Sequence, residues 1–156
     1  MEDLPNTCSG GCEMRPIHKS SLLAGLAAIA IMAAGGVSAE TLKFKADMTG
    51  SAEVPPNESA GKGMGEVTLD TTSKTLTWTV TADGLSGDPT AAHFHGPAAT
   101  GENADPVVDI STSMKSGSAE LTDQQLADLQ GGKWYLNIHT AKFPDGEIRG
   151  QVEKAQ

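Results

Sequence analysis

The chain is short of cysteine, of aromatic side chains and of positive charge, and each shortage closes off a class of function. Cys8 and Cys12 are the only cysteines. Their CxxxC spacing suits a metal or redox pair, yet both precede the cleavage point read below. The folded product is therefore expected to hold neither a disulfide nor a thiolate ligand. Aromatics make up only 4% of the chain, while it has 18 glycines and 8 prolines, a balance that suits a turn-rich β protein better than a helix bundle. Lysine and arginine number 11 against 20 acidic residues, for a formal charge of -9. Phosphate backbones are gripped by clustered cations, so nucleic acid is excluded as a partner, whereas divalent cations are easier ones. A hydrophobic share of 38% over 156 residues allows one modest core and argues against a multi-span membrane protein.

Long apolar runs are also missing. The longest, Leu22 to Ala34, falls well short of the roughly 18 to 20 residues that cross a bilayer as a permanent helix. It follows Arg15, His18 and Lys19 and leads into Val37-Ser38-Ala39, small residues of the kind a signal peptidase cuts after. Glu2, Asp3 and Glu13 make residues 1–13 a poor signal n-region, so these are read as an upstream extension and Met14 as the initiator. The expected organisation is an extension over 1–13, a signal peptide over 14–39 and a single β domain over 40–156. That domain carries nine basic and seventeen acidic side chains, a charge of -8. With no cysteine at the end of the apolar run there is no lipobox. The expected destination is periplasmic or extracellular, with no permanent membrane span after cleavage.

Within the domain, apolar residues alternate with polar ones, the period of a half-buried strand. Leu42, Phe44, Ala46 and Met48 set the first strand. Pro55-Pro56 then requires a loop, since neither proline can donate to a ladder. After Gly61, Gly63 and Gly65, a short strand over Glu66 to Leu69 turns at Asp70 to Lys74 and returns as Thr75 to Ala82. Leu76, Trp78, Val80 and Ala82 line one face of the returning strand, and four threonines line the other. Further strands are expected over Thr90 to His95, Pro106 to Ile110, Ser118 to Leu121, Lys133 to Thr140 and Glu147 to Val152. Thr122 and Gln125 form a capping-box pair ahead of Leu126 and Leu129, which predicts one short helix ended by Gly131-Gly132. The fold class is all-β: a Greek-key sandwich or barrel of seven to eight short antiparallel strands with one short helix in a connection.

Three of the four histidines fall in two of these strands. His93 and His95 are two apart, so alternation puts both rings on one face while Ala92 and Phe94 turn to the core. His139 shares a strand face with Tyr135 and Asn137. If the two strands are neighbours, three neutral imidazoles converge on one ion, a donor set that suits copper or zinc. Otherwise the same rings hydrogen-bond loop backbones and buttress a polar cleft. Asp109, Asp145 and Glu147 are the carboxylates placed to accept from an imidazole and orient it, and Arg149 is a candidate guide for an anion. No serine has a nucleophile-elbow context beside these histidines, and no carboxylate pair flanking a sugar cleft is identifiable.

The chain resembles the CHRD domain, a module named for chordin and also found in bacterial secreted proteins. The resemblance runs from Leu42 to Val152. It is carried by Glu53-Val54-Pro55-Pro56, by Ala91-Ala92-His93-Phe94-His95-Gly96-Pro97-Ala98, by Leu121-Thr122 with Gln125, and by Asn137-Ile138-His139-Thr140 with Phe143-Pro144-Asp145-Gly146-Glu147-Ile148-Arg149-Gly150-Gln151. It implies an all-β extracytoplasmic module. The cysteine-rich growth-factor-binding domains that accompany such modules in chordin are absent here. The chain is also similar, more distantly, to copper/zinc superoxide dismutases, whose His-x-His strand and late strand histidine are matched by His93, His95 and His139. A fourth copper-ligand histidine, a zinc loop, a structural disulfide and a secure match for the late arginine are lacking.

Three functions follow as expectations. One is a secreted, non-enzymatic CHRD-like module that binds a ligand, an envelope component or a protein partner, with or without a metal site. The alternative is a copper-binding redox or storage protein with a three-histidine site, copper ranking ahead of zinc as its ion. A purely structural matrix or assembly module is a separate, third option.

Overall fold

The computed structural model describes residues 40–155; the stretches expected to be an upstream extension and a signal peptide lie outside the described residues. In chain order the elements are β1 (Thr41–Thr49), β2 (Lys62–Asp70), β3 (Thr75–Asp83), β4 (Pro89–His95), β5 (Pro106–Asp109), β6 (Ser116–Glu120), α1 (Asp123–Gln130), β7 (Tyr135–Thr140), β8 (Ile148–Gln151) and β9 (Glu153–Lys154). Among the described residues no helix is long and apolar enough to cross a membrane.

Every pairing is antiparallel, and the strand order is β5-β4-β7-β8-β1-β2-β3-β6, with β9 beside β1. β1, β2, β3 and β6 form one leaf of a sandwich and β5, β4, β7 and β8 the other. The leaves are joined where Thr49 of β1 pairs with Arg149 of β8. The chain crosses between leaves after β3, after β5 and through α1, and β7 returns beside β4. This is the Greek-key sandwich, close to a barrel, that the alternation predicts, with the two-residue β9 added to the eight strands.

The inward face of each strand supplies the core. Phe44, Ala46, Met48, Val67, Leu69, Leu76, Trp78 and Val80 meet Ala92, Phe94, Leu136, Ile138 and Ile148, all buried. Phe94 ties the leaves together: its ring lies 5.9 Å from that of Trp78 and 6.0 Å from that of Trp134. The threonine face of β3 points outward as expected.

Most strand boundaries fall within two residues of the expectation, and one differs by more. β2 begins at Lys62 rather than Glu66, because the glycines before Glu66 belong to the ladder. A methyl group on Gly63 would sit 2.8 Å from Met48, and one on Gly65 would sit 2.7 Å from Leu136. The glycines are there because neighbouring side chains fill the space, not to mark a loop.

At the helix, Thr122 Oγ1 accepts from Gln125 N and the Gln125 side chain accepts from Thr122 N, which completes the capping box. Replacing Phe94 with alanine removes a fully buried ring that spans both leaves. The expected loss is roughly 3–5 kcal/mol of unfolding free energy, measurable by urea denaturation. A loss below about 1 kcal/mol contradicts this account of the core.

Candidate metal centre

β4 and β7 are adjacent, and their register sets the site. His93 stands opposite Asn137, His95 opposite Tyr135 and Ala91 opposite His139. Side chains that alternate along each strand therefore put His93, His95, Asn137 and His139 on the outer face, behind which Ala92, Phe94, Leu136 and Ile138 pack into the core. One ring nitrogen from each of His93, His95 and His139 falls within 4.8 Å of the others. His93 Nδ1 is 3.2 Å from His139 Nε2.

For His95 and His139, the opposite nitrogen sets which one turns inward. His95 Nδ1 lies 2.9 Å from Ala104 O and His139 Nδ1 lies 2.8 Å from Pro144 O. A carbonyl only accepts, so both Nδ1 atoms carry the proton and both Nε2 atoms hold a lone pair. Metal-bound histidines are oriented in the same way, by a carbonyl or carboxylate on the far nitrogen. Burial, followed by the neighbouring His139, holds the His93 pKa below its ordinary value, and burial does the same for His95. Both rings are thereby favoured in the neutral, ligating form. The three histidines form a cluster capable of coordinating a metal ion.

The two carbonyls sit on loops fastened to the body of the protein. Tyr135 stacks on His95, ring centroids 4.7 Å apart and planes within 5°, and its hydroxyl donates to Ala104 O at 3.2 Å. Arg149 lies under the other face of Tyr135, its guanidinium carbon 3.4 Å from the ring centroid. Its Nη1 donates to Asn103 Oδ1 at 2.8 Å and its Nη2 to Glu102 O. The turn that presents Pro144 O is held by Asn57, whose Nδ2 donates to Gly146 O and Glu147 O, each at 3.1 Å.

The charged candidates take different places. Asp109 is exposed, with Oδ1 3.8 Å from His93 Nε2, and the same oxygen accepts from Ser111 N and Ser111 Oγ. Those bonds, the hydroxyl's first, hold the Asp109 carboxyl below its usual range. Asp145 is an exposed residue at the rim of the cleft next to the imidazoles.

Glu147 is fully buried and engaged elsewhere. It accepts from Ser59 Oγ, Ser86 N and Ser86 Oγ at 2.7 Å each, and from Thr140 Oγ1, and it bonds no imidazole. Burial alone raises its pKa, but these bonds together outweigh that and lower it. Arg149 is 2% exposed; with its donors committed to the 102–103 loop, it braces the site from beneath instead of meeting anions from solvent.

Sequence reasoning passed over two residues. Asn137 is 3% exposed and reaches the imidazoles; its place on the face of His139 was the available signal. Glu53, 6% exposed, lines a cleft of about 410 Å³ together with His95, Tyr135, Asn137 and His139. Its Oε1 has no hydrogen-bond partner among the described residues. Gly146, at φ 134°, passes so close that a methyl group there would fall 2.4 Å from that oxygen. Only glycine combines that backbone conformation with that approach.

Burial pushes the Glu53 carboxyl up to about 7, against the opposing charge of Arg149 and a bond from Val54 N. A raised carboxyl pKa means that the fold prefers the proton. Its contribution to stability is complete below the unfolded value of 4.5 and is lost as pH rises through about 7. Glu53→Gln removes this dependence. Its unfolding free energy relative to the parent is expected to climb between pH 5 and pH 8, by at most about 3 kcal/mol; denaturation curves that run parallel across this range contradict the assignment.

A family model for the CHRD domain matches residues 44–152, a span that takes in both histidine strands and both carbonyl-bearing loops. No curated protein and no solved structure matches the chain. The matched span covers more than half of the sequence and almost all of the described fold, and the chain belongs to the CHRD domain family.

Proposed function

We propose that this protein is an exported, non-enzymatic CHRD module that binds one transition-metal ion through His93 Nδ1, His95 Nε2 and His139 Nε2. CHRD domains are non-catalytic binding modules. The observation that carries the metal reading is the division of labour within the rings: far nitrogens on Ala104 O and Pro144 O, near nitrogens turned toward one another. Copper ranks ahead of zinc, because an all-imidazole set has no thiolate or carboxylate preference to offset the higher affinity of such sites for copper(II). Copper storage or redox cycling is the finer form of this reading. A dismutase is not, since the fourth histidine and the zinc loop of those enzymes have no counterpart here.

The ion's neighbourhood also accounts for a ligand-binding role. The cleft beside the rings is large enough for a small molecule or a side chain of a partner, and its rim carries Asp145 and the Val54-Pro55 loop. Export to the periplasm or the medium is part of the proposal and rests on the apolar run, its basic flank and the Val37-Ser38-Ala39 site.

Protein purified without a histidine tag and dialysed against copper(II) or zinc(II) is expected to retain one equivalent of metal by elemental analysis. His95→Ala is expected to lower retention at least tenfold. Failure of the parent protein to retain stoichiometric metal overturns the reading. Mass spectrometry of protein from the exported fraction is expected to find a chain beginning at Glu40, and an exported chain that still begins at Met1 or Met14 contradicts the signal assignment.

A further inference from the structure

The three histidines do not close the site by themselves. Asn137 Oδ1 lies 3.0 Å from His95 Nε2 and 3.1 Å from His139 Nε2, and His139 Nε2 lies 3.2 Å from His93 Nδ1. With Ala104 O and Pro144 O taking the Nδ1 protons of His95 and His139, both Nε2 atoms are acceptors. An amide oxygen aimed at both is a third acceptor beside them, and no proton is left to share between it and either ring. With both rings neutral, two arrangements relieve the repulsion. The amide can turn, so that Nδ2 donates one proton to each imidazole, or a cation can stand among the acceptors.

The spacing fits the second arrangement. Ligand atoms about 2.0–2.1 Å from a tetrahedral ion lie about 3.3–3.4 Å apart, and the successive separations here are 3.0, 3.1 and 3.2 Å. The imidazole nitrogens all lie within 4.8 Å of one another. Asn137 is buried and fixed by its β7 position opposite His93, so its carbonyl needs no loop movement to reach the ion.

We propose that Asn137 Oδ1 is the fourth protein donor of the metal centre, completing a three-histidine, one-amide set. The inference rests on the metal reading above and deepens it. All four donors are neutral, so a bound divalent ion keeps its full charge inside a chain of net charge -9. Without the ion the Asn137 amide turns to present its nitrogen, donating to His95 and His139. The same residue thus holds the imidazoles apart when the site lacks metal and ligates when it is filled.

Zinc(II) titration of untagged parent protein, Asn137→Ala and Asn137→Asp tests this, with competition against a chelator to read affinity. The parent is expected to bind one equivalent. Asn137→Ala is expected to bind roughly 10- to 100-fold more weakly, and Asn137→Asp, which keeps an oxygen at the same reach and adds charge, at least as tightly as the parent.

A spectroscopic readout tests whether the Asn137 amide responds to the ion at all, and the gain or loss of affinity in Asn137→Asp separates ligation from ring positioning. On zinc loading, the Asn137 side-chain carboxamide signals in the NMR spectrum are expected to shift, while those of Asn57, held on backbone carbonyls, stay in place. Unchanged affinity in both variants, or an Asn137 carboxamide that does not respond to zinc, overturns the inference and leaves the three-histidine site standing. A parent protein that binds no zinc or copper overturns both. Should Asn137→Ala fail to fold, the aspartate variant and the carboxamide shift decide.

Discussion

Two backbone carbonyls, Ala104 O and Pro144 O, take the Nδ1 protons of His95 and His139. That choice of tautomer is what leaves the Nε2 lone pairs turned inward, and every chemical property of the site follows from it. Were either ring protonated on Nε2, its lone pair would face the loop and the cluster would lose a donor. The rest of the architecture can be understood as what keeps these carbonyls in place. Arg149, buried under Tyr135, ties down the loop that carries Ala104. Asn57, from a loop distant in sequence, and the buried Glu147 beside the turn, which accepts from Ser59 of that same loop, hold the turn that carries Pro144. A charged arginine in such a place is costly to bury, and the stacked aromatic ring and two acceptors on its guanidinium offset that cost.

The sandwich supplies the second constraint, which is register. A shift of one residue between β4 and β7 would carry Phe94 or Ile138 to the outer face and the histidines to the core. Phe94 opposes it by packing against both tryptophans, and Ala92, Leu136 and Ile138 oppose it through complete burial. The same hydrophobic pattern that stabilises the domain therefore also fixes which side chains meet in the site. Stability and chemistry share residues only through the strand backbone, so the imidazoles can be replaced without opening the core.

Much of this was legible in the residues alone. Alternation located the strands and assigned faces within β3, β4 and β7, the capping box located the helix, and the histidine spacing put His93 and His95 on one side. The adjacency of β4 and β7 was not legible, because strands 40 residues apart in sequence carry no local mark of their pairing. Gly63 and Gly65 misled for a related reason: their cause is the bulk of Met48, Ile148 and Leu136 across the sheet, which no window along the chain reveals. Glu147 and Arg149 alternate with core residues and were read as an acceptor for an imidazole and a guide for an anion, whereas hydrogen bonds to separate loops make their complete burial tolerable. Asn137 was visible as a polar residue on the right face, but amides are common on exposed strand faces, and only its distances to two imidazoles distinguish it.

The most direct test of the account is the tautomeric state of the histidines in metal-free protein, read from the ring nitrogens by long-range proton–nitrogen NMR. The account predicts protons on Nδ1 and lone pairs on Nε2 for both His95 and His139 at neutral pH, with the Nε2 signals alone moving strongly as one equivalent of zinc is added. Protonated Nε2 on either ring, or Nε2 signals indifferent to the metal, would contradict it.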